Sequence, residues 1–242
     1  KEGYTTYKEQ EFKLIDLPGI YSLTSYTMEE KVSRECIMSD EVDVIVDVVD
    51  ASCLERNLYL TLQLIELGKP VVLALNMMDI VEERGMEIDL HRLPEMLGIP
   101  AIPVSARKRT GLEILLHAVA HHKEYAKQGP FIHHHSDKTG HKHNHHSEYA
   151  MVYDDDIEDK IDAISEQFRV KYPDMENMRW HAIKTLEQDD SVTKKYPVDM
   201  TGIADRSYEK DIINEKYDFI EEVIDETLVN KSAKAEQTDR ID

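Results

Sequence analysis

The sequence predicts an α/β domain built on a parallel sheet, followed by a small all-α region. Three observations carry this. Short apolar runs alternate with helix-period segments from about Asp43 to Tyr125. Polar clusters stand at the carboxyl ends of those runs, where open α/β sheets bind ligands. Beyond a histidine-rich stretch, apolar residues recur only at helical spacing. The implied division is 1–127 for the α/β part, 128–147 for a histidine-rich insert or linker, 148–230 for the helical part and 231–242 for a polar tail.

The elements follow in order. Tyr4, Thr6, Phe12 and Leu14 alternate with polar residues, which predicts two short strands around a Glu9-Gln10 turn. Asp16-Leu17-Pro18-Gly19 breaks the second strand. A helix is predicted over 28–39, then a buried β-branched strand over Val44 to Val49. An amphipathic helix over 55–68 ends at Gly68, a good C-terminal cap. Val71 to Leu75 is a second buried strand, 89–97 a helix closed by Gly98, Ala101 to Val104 a further strand, and 111–126 a helix. After the insert, helices are predicted over about 154–171, 177–188 and 205–230, forming a small bundle. Ile157, Ile161, Ile164 and Phe168 mark the apolar stripe of the first, and Trp180 is a core anchor of the second.

Composition narrows the function classes. The chain carries a net charge of −20 and no basic stripe, which argues against nucleic acid as a partner. No stretch approaches the roughly 18 apolar residues of a membrane span. The two cysteines, Cys36 and Cys53, read as buried thiols rather than a disulfide.

Three motifs carry chemistry. Asp16-Leu17-Pro18-Gly19 delivers a carboxylate at a strand end, then a glycine whose backbone can approach a phosphate closely. In nucleotide hydrolases an aspartate here holds Mg²⁺ through water and the glycine amide senses the terminal phosphate. Asn76-Met77-Met78-Asp79 follows the strand Val71–Leu75. Guanine presents two adjacent donors, N1–H and the 2-amino group, which one aspartate can accept and adenine cannot supply. An asparagine beside it can contact N7 and tie neighbouring loops together. Ser105-Ala106-Arg107 follows the strand Ala101–Val104, and a small residue there lets backbone amides reach the base oxygen. Each motif alone also reads as an ordinary turn or helix cap. In sequence, each at a strand end, they point to a GTPase-type nucleotide site. Met77 and Met78 are expected to pack beneath the base.

These stretches resemble the cytosolic region of the ferrous iron transport protein B family, bacterial inner-membrane iron transporters. The resemblance runs through Leu14 to Thr24, Val48 to Thr61 and Leu75 to Asp79, and extends to Tyr172-Pro173, Arg179-Trp180 and Tyr217 to Ile220. It implies a P-loop GTPase-like fold with GTP or GDP and Mg²⁺ as ligands. Asp16 would help hold Mg²⁺, Gly19 would sense the terminal phosphate, Asn76, Met77 and Asp79 would form the guanine site, and Ser105 and Ala106 would close over the base. The helical part would slow GDP release. Residues 238–242 would lead to a membrane transport domain, placing the parent at the cytoplasmic face of the inner membrane. A homo-oligomer is compatible with the family.

One departure matters. No Gly-x-x-x-x-Gly-Lys-Ser/Thr loop occurs in the 242 residues. The first strand and helix of the sheet are expected to be missing with it, as in a fragment. Each absent charge-assisted phosphate contact is worth roughly 1.5–3 kcal/mol, so weak nucleotide binding and no hydrolysis by this chain alone are expected. Ile20 stands where Ras-like proteins place a water-orienting glutamine. The insert has two readings. His133, His134, His135, His141, His143, His145 and His146 could bind Fe²⁺, Zn²⁺ or Ni²⁺, or could form a solvated loop. Two rival functions remain at this stage: a soluble ribosome- or tRNA-related GTPase, and a non-enzymatic histidine-rich metal-binding adaptor.

Overall fold

The computed structural model describes residues 1–24, 27–125 and 151–230. The histidine-rich insert and the polar tail therefore lie outside the described residues. Strands β1 (Glu2–Tyr7) and β2 (Gln10–Ile15) pair antiparallel, with Glu2 opposite Ile15 and Tyr7 opposite Gln10. The turn is Lys8-Glu9, one residue earlier than the alternation predicts, and both residues are left-handed, with φ of 45° and 66°. That is the backbone of a type I′ hairpin turn, which favours Asn-Gly. The L side chains are strained there, by about 1–2 kcal/mol each. Joint replacement Lys8→Asn and Glu9→Gly is expected to stabilise the fold by about 1 kcal/mol net of glycine's extra unfolded-state entropy. A lower thermal midpoint in the double variant would refute this.

Helix α1 (Met28–Met38) starts at a capping box: Thr27 Oγ1 accepts from the Glu30 amide, and Glu30 accepts from the Thr27 amide at 3.1 Å. Strands β3 (Ile45–Asp50), β4 (Val71–Asn76) and β6 (Ala101–Pro103) form a parallel three-stranded sheet in the order β3-β4-β6. Helix α2 (Leu54–Glu66) packs on one face, under Ile45, Asp47 and Val49. Helix α5 (Leu112–Ala120) covers the other face, where Val72 meets Ala118 and Val119. Between them lie α3 (Met78–Glu83), β5 (Met86–Ile88) and α4 (Arg92–Leu97), and α6 (His122–Tyr125) follows α5. The helix predicted over 89–97 is thus shorter, and α3 and β5 are additions.

Strand β3 departs from its predicted burial. It is an edge strand of its sheet, and the hairpin β1–β2 forms a separate sheet. Helix α5 packs against β4 and β1 and leaves Val48 62% exposed and Val46 also open. Alternation buries only one side-chain set of a strand unless both faces are covered.

Helices α7 (Asp155–Lys171), α8 (Met178–Leu186), α9 (Asp190–Lys195) and α10 (Glu209–Thr227) make up the helical part. Asp154 caps α7 by accepting from the Ile157 amide at 2.8 Å. The stripe Ile157, Ile161, Ile164 and Phe168 is buried as predicted, and Trp180 is 0% exposed. This part is not an isolated bundle. Leu58 and Leu62 of α2 share one buried cluster with Ile212, Ile220 and Val223 of α10. Lys216, fully buried on α10, pairs with Glu66 of α2 at 2.9 Å. The end of α10 is also not helical as predicted. It becomes β7 (Leu228–Asn230), which pairs antiparallel with β5, Ile88 opposite Leu228. Both cysteines are free thiols; Cys36 is partly buried, but Cys53 is exposed, against the predicted burial. Among the described residues no helix is long and apolar enough to cross a membrane.

Candidate functional site

The carboxyl ends of β4 and β6 bring two of the three motifs together. Asn76 is the last residue of β4, and its Oδ1 accepts from the Ala106 amide at 3.1 Å. The chain then turns through Met77 in a left-handed conformation, φ 63°, and enters α3. That turn places Asp79 in the first helical turn, facing the loop after β6. Ser105 Oγ donates to Asp79 Oδ1 at 2.9 Å and accepts from the Lys108 amide at 3.2 Å. The loop is closed by reciprocal backbone bonds between Ser105 and Thr110, each 3.1 Å. Gly111 then starts α5 with φ 77°, where a Cβ would lie 2.1 Å from the Pro103 carbonyl oxygen. Only glycine fits that close approach of α5 to β6.

Asp79 is the centre of the arrangement and differs from expectation in one respect. Its residue is only 4% exposed, whereas the sequence predicts a carboxylate standing open beside Asn76. Its Oδ2 is buried and accepts no hydrogen bond. The nearest charge is Arg107 Nε at 3.7 Å, an ion-pair distance, with the guanidinium otherwise exposed. The Ser105 hydroxyl, and secondarily Arg107 and Lys108, hold the Asp79 carboxyl below the usual carboxylate range. Asp79 therefore presents one anchored and one unsatisfied oxygen, a costly state for a buried carboxylate without a donor. Arg107 stands in the third motif, but the motif reading assigned it no contact with Asp79. Its relation to Asp79 spans 28 positions and only the fold creates it.

Met77 does not pack beneath a pocket; it is 44% exposed at the left-handed turn. Met78 does pack, against the main core. Asp16 is exposed just after β2, its backbone bonded to Lys1. Gly19 is exposed, and a Cβ there would meet nothing within 4 Å, so packing does not require glycine. No hydrogen bond or ion pair among the described residues joins Asp16 or Gly19 to the Asp79 cluster. The seven histidines His133 to His146 lie outside the described residues. Among the described residues no group of three or more His, Cys, Asp or Glu is arranged to hold a metal.

The segment after Gly19 is held from elsewhere. Ile20 and Leu17 pack on a buried cluster containing Leu23 and Trp180. The Leu23 amide donates to Gln63 Oε1 at 2.7 Å, and Arg34 donates to the Leu23 carbonyl at 3.4 Å. Arg34 pairs with Asp189 at 2.7 Å and lies over the Trp180 ring, 4.7 Å from its centroid. The loop that follows the Asp16 motif is thus tied to the helical part.

Comparison with known proteins agrees with this architecture. The family model described as ferrous iron transport protein B matches residues 1–119, and that of the FeoB cytosolic helical domain matches residues 153–229. The Fe(2+) transporter FeoB of Salmonella typhimurium is 44% identical over 126 residues, which cover 50% of this chain and 16% of that transporter. The Escherichia coli strain K12 transporter is 43% identical over 127 residues, again 16% of its length. Among solved structures, the GMPPNP form of the T. maritima FeoB cytosolic domain aligns with a TM-score of 0.76 and 29% identity, over 95% of this chain and 86% of that one. A GDP-bound mutant of the S. thermophilus FeoB G-domain aligns with a TM-score of 0.76 and 34% identity, over 94% and 86%. The soluble ribosome- or tRNA-related alternative falls away with these matches. With both family models in the order of its two parts, and a 34% identical relative of which it covers 86%, the chain belongs to the ferrous iron transport protein B family.

Proposed function

We propose that this chain is the guanine-nucleotide-binding, regulatory part of a ferrous iron uptake transporter, acting on the cytosolic side of a membrane transport domain. The observation that carries this is the Asp79 carboxylate. One oxygen is fixed by Ser105 and the other is buried without a hydrogen-bond donor. Guanine N1–H and its 2-amino group are donors of the matching kind. Arg107, exposed and not hydrogen-bonded to Oδ2, would swing off it as the base enters. Asn76, tied to Ala106, would hold the two loops in register. The solved relatives that are GDP and GMPPNP forms support the same reading.

Asp16 would hold Mg²⁺ through water, and Gly19 would approach the terminal phosphate; the exposed carboxylate and the open space at Gly19 are compatible with both. Bound Mg²⁺ supplies charge neutralisation on the phosphates. The open edge of β3, with Val46 and Val48 uncovered, is the place where a further strand, its phosphate loop and a covering helix would dock. The helical part, tied to the segment after Gly19 through Arg34, would set how readily GDP leaves.

Calorimetry with GDP, ADP and XDP tests the base site. GDP is expected to bind at least tenfold more tightly than ADP. Asp79→Asn exchanges one acceptor for a donor, so it should weaken GDP by roughly 10–100-fold, about one charge-assisted hydrogen bond. The same variant should gain affinity for XDP, whose C2 carbonyl accepts from an amide. Equal affinities for GDP and ADP, or an Asp79→Asn variant that keeps its GDP affinity, would overturn the assignment.

A further inference from the structure

A pair of histidines on α5 stands apart from the nucleotide site. His117 lies in the last turn of α5 and His121 caps it, so the two rings sit one turn apart on the same face. Their ring centroids are 4.1 Å apart. Both imidazoles are oriented by their Nδ1 atoms. His121 Nδ1 is 2.8 Å from the His117 carbonyl oxygen, which can only accept, so Nδ1 carries the proton and Nε2 a lone pair. His117 Nδ1 is 3.3 Å from the Tyr7 hydroxyl of β1, which can accept from the ring and leave its Nε2 a lone pair too. The hydrogen bonds these two rings make to described residues run through Nδ1.

This is the arrangement that makes imidazole a metal ligand. An oxygen on one ring nitrogen fixes the tautomer and leaves the lone pair of the other nitrogen for a metal. The C-terminal end of a helix also favours positive charge. The chain's net charge of −20 adds a general attraction for cations. We propose that His117 and His121 form a two-imidazole site for a borderline divalent transition-metal ion, with Tyr7 as the positioning residue of His117. Water or a small chelator completes the coordination, since no third protein ligand is arranged there among the described residues. Affinity should follow Cu²⁺ above Ni²⁺ and Zn²⁺, with Fe²⁺ weakest. Because Tyr7 lies on β1, an ion bound there also secures the hairpin against α5.

The test uses the full chain with every histidine of the 133–146 tract replaced by asparagine, so that the tract contributes no ligand. Ni²⁺ titrated by calorimetry should show a dominant single site. Cu²⁺–iminodiacetate, which leaves room for two cis imidazoles, should give an electron spin echo signal from two remote imidazole nitrogens. His117→Gln and His121→Gln should each reduce that signal to one imidazole and weaken Ni²⁺ at least tenfold. Tyr7→Phe should weaken Ni²⁺ by about tenfold, the usual effect of losing an outer-shell partner, while keeping two imidazoles. No saturable Ni²⁺ binding, or an affinity and a Cu²⁺ signal unchanged by His117→Gln and His121→Gln in folded protein, would overturn the site.

Discussion

Replacement of Arg34 by alanine is expected to destabilise the protein by about 3–5 kcal/mol, the cost of removing one partner of a buried ion pair. Arg34 and Asp189 side chains are 7% and 9% exposed, and their contact is 2.7 Å. Burial pushes the Asp189 carboxyl up, but hydrogen bonds from Arg34 and Ser191 outweigh it and hold it below its usual range. A carboxyl depressed in this way adds stability at neutral pH that is lost as pH falls through its folded value. Without Arg34 the carboxylate would stay buried with only its α9 cap bonds, from the Ser191 and Val192 amides and the Ser191 hydroxyl. The guanidinium also gives up its position over Trp180. Arg34→Lys keeps the charge but not the planar fork, so it should fall between the two. Urea unfolding at pH 7 measures the loss. Amide exchange at Leu23 should quicken as well, because Arg34 secures its carbonyl. A change below about 1 kcal/mol would mean that the pair acts as a surface salt bridge does.

Asp47→Asn is expected to act in the opposite direction. Asp47 sits at an inward position of β3, against α2, and among the described residues its side chain is met by the Thr61 hydroxyl, which donates at 2.6 Å. Burial pushes the Asp47 carboxyl up to about 6 from 3.8, with Thr61 opposing. The folded chain therefore keeps a proton that the unfolded chain releases. Unfolding liberates protons between about pH 4 and 6, so stability falls as pH rises through that window. A shift of about two units corresponds to about 3 kcal/mol of lost stability at pH 8. Asparagine can accept from Thr61 without carrying charge. Asp47→Asn should recover about 2–3 kcal/mol at pH 8 and little at pH 4. Some slope should persist from Glu215, which burial raises to about 7, so its contribution has the same sign. A variant less stable than the parent at pH 8 would show that the ionised form is the one the fold favours.

Within the site, the part legible in the sequence is the part set by local rules. Asn76 and Ser105 could be placed at strand ends because apolar runs, breakers and strand length are encoded over a few residues. The resulting contacts, Asn76 with Ala106 and Asp79 with Ser105, follow once β4 and β6 are neighbours. The burial of Asp79 could not be read this way. It depends on the left-handed turn at Met77 and on Arg107 closing from another loop. The one-residue error at the first hairpin has a similar cause. Lys8-Glu9 carries no glycine or asparagine to announce a type I′ turn, so tertiary pairing overrides local preference.

The sequence by itself determined the alternation of strands and helices, the order of the motifs and the helical character of most of the second part. Periodicity and turn chemistry are local, and they survive without knowledge of the partner segments. Only the tertiary structure decided that Arg34 meets Asp189, that β7 returns to pair with β5, that Asp47 points inward, and that one face of β3 stays open. Those outcomes join residues up to 155 positions apart, and their energies come from burial and desolvation, which exist only once distant surfaces have met.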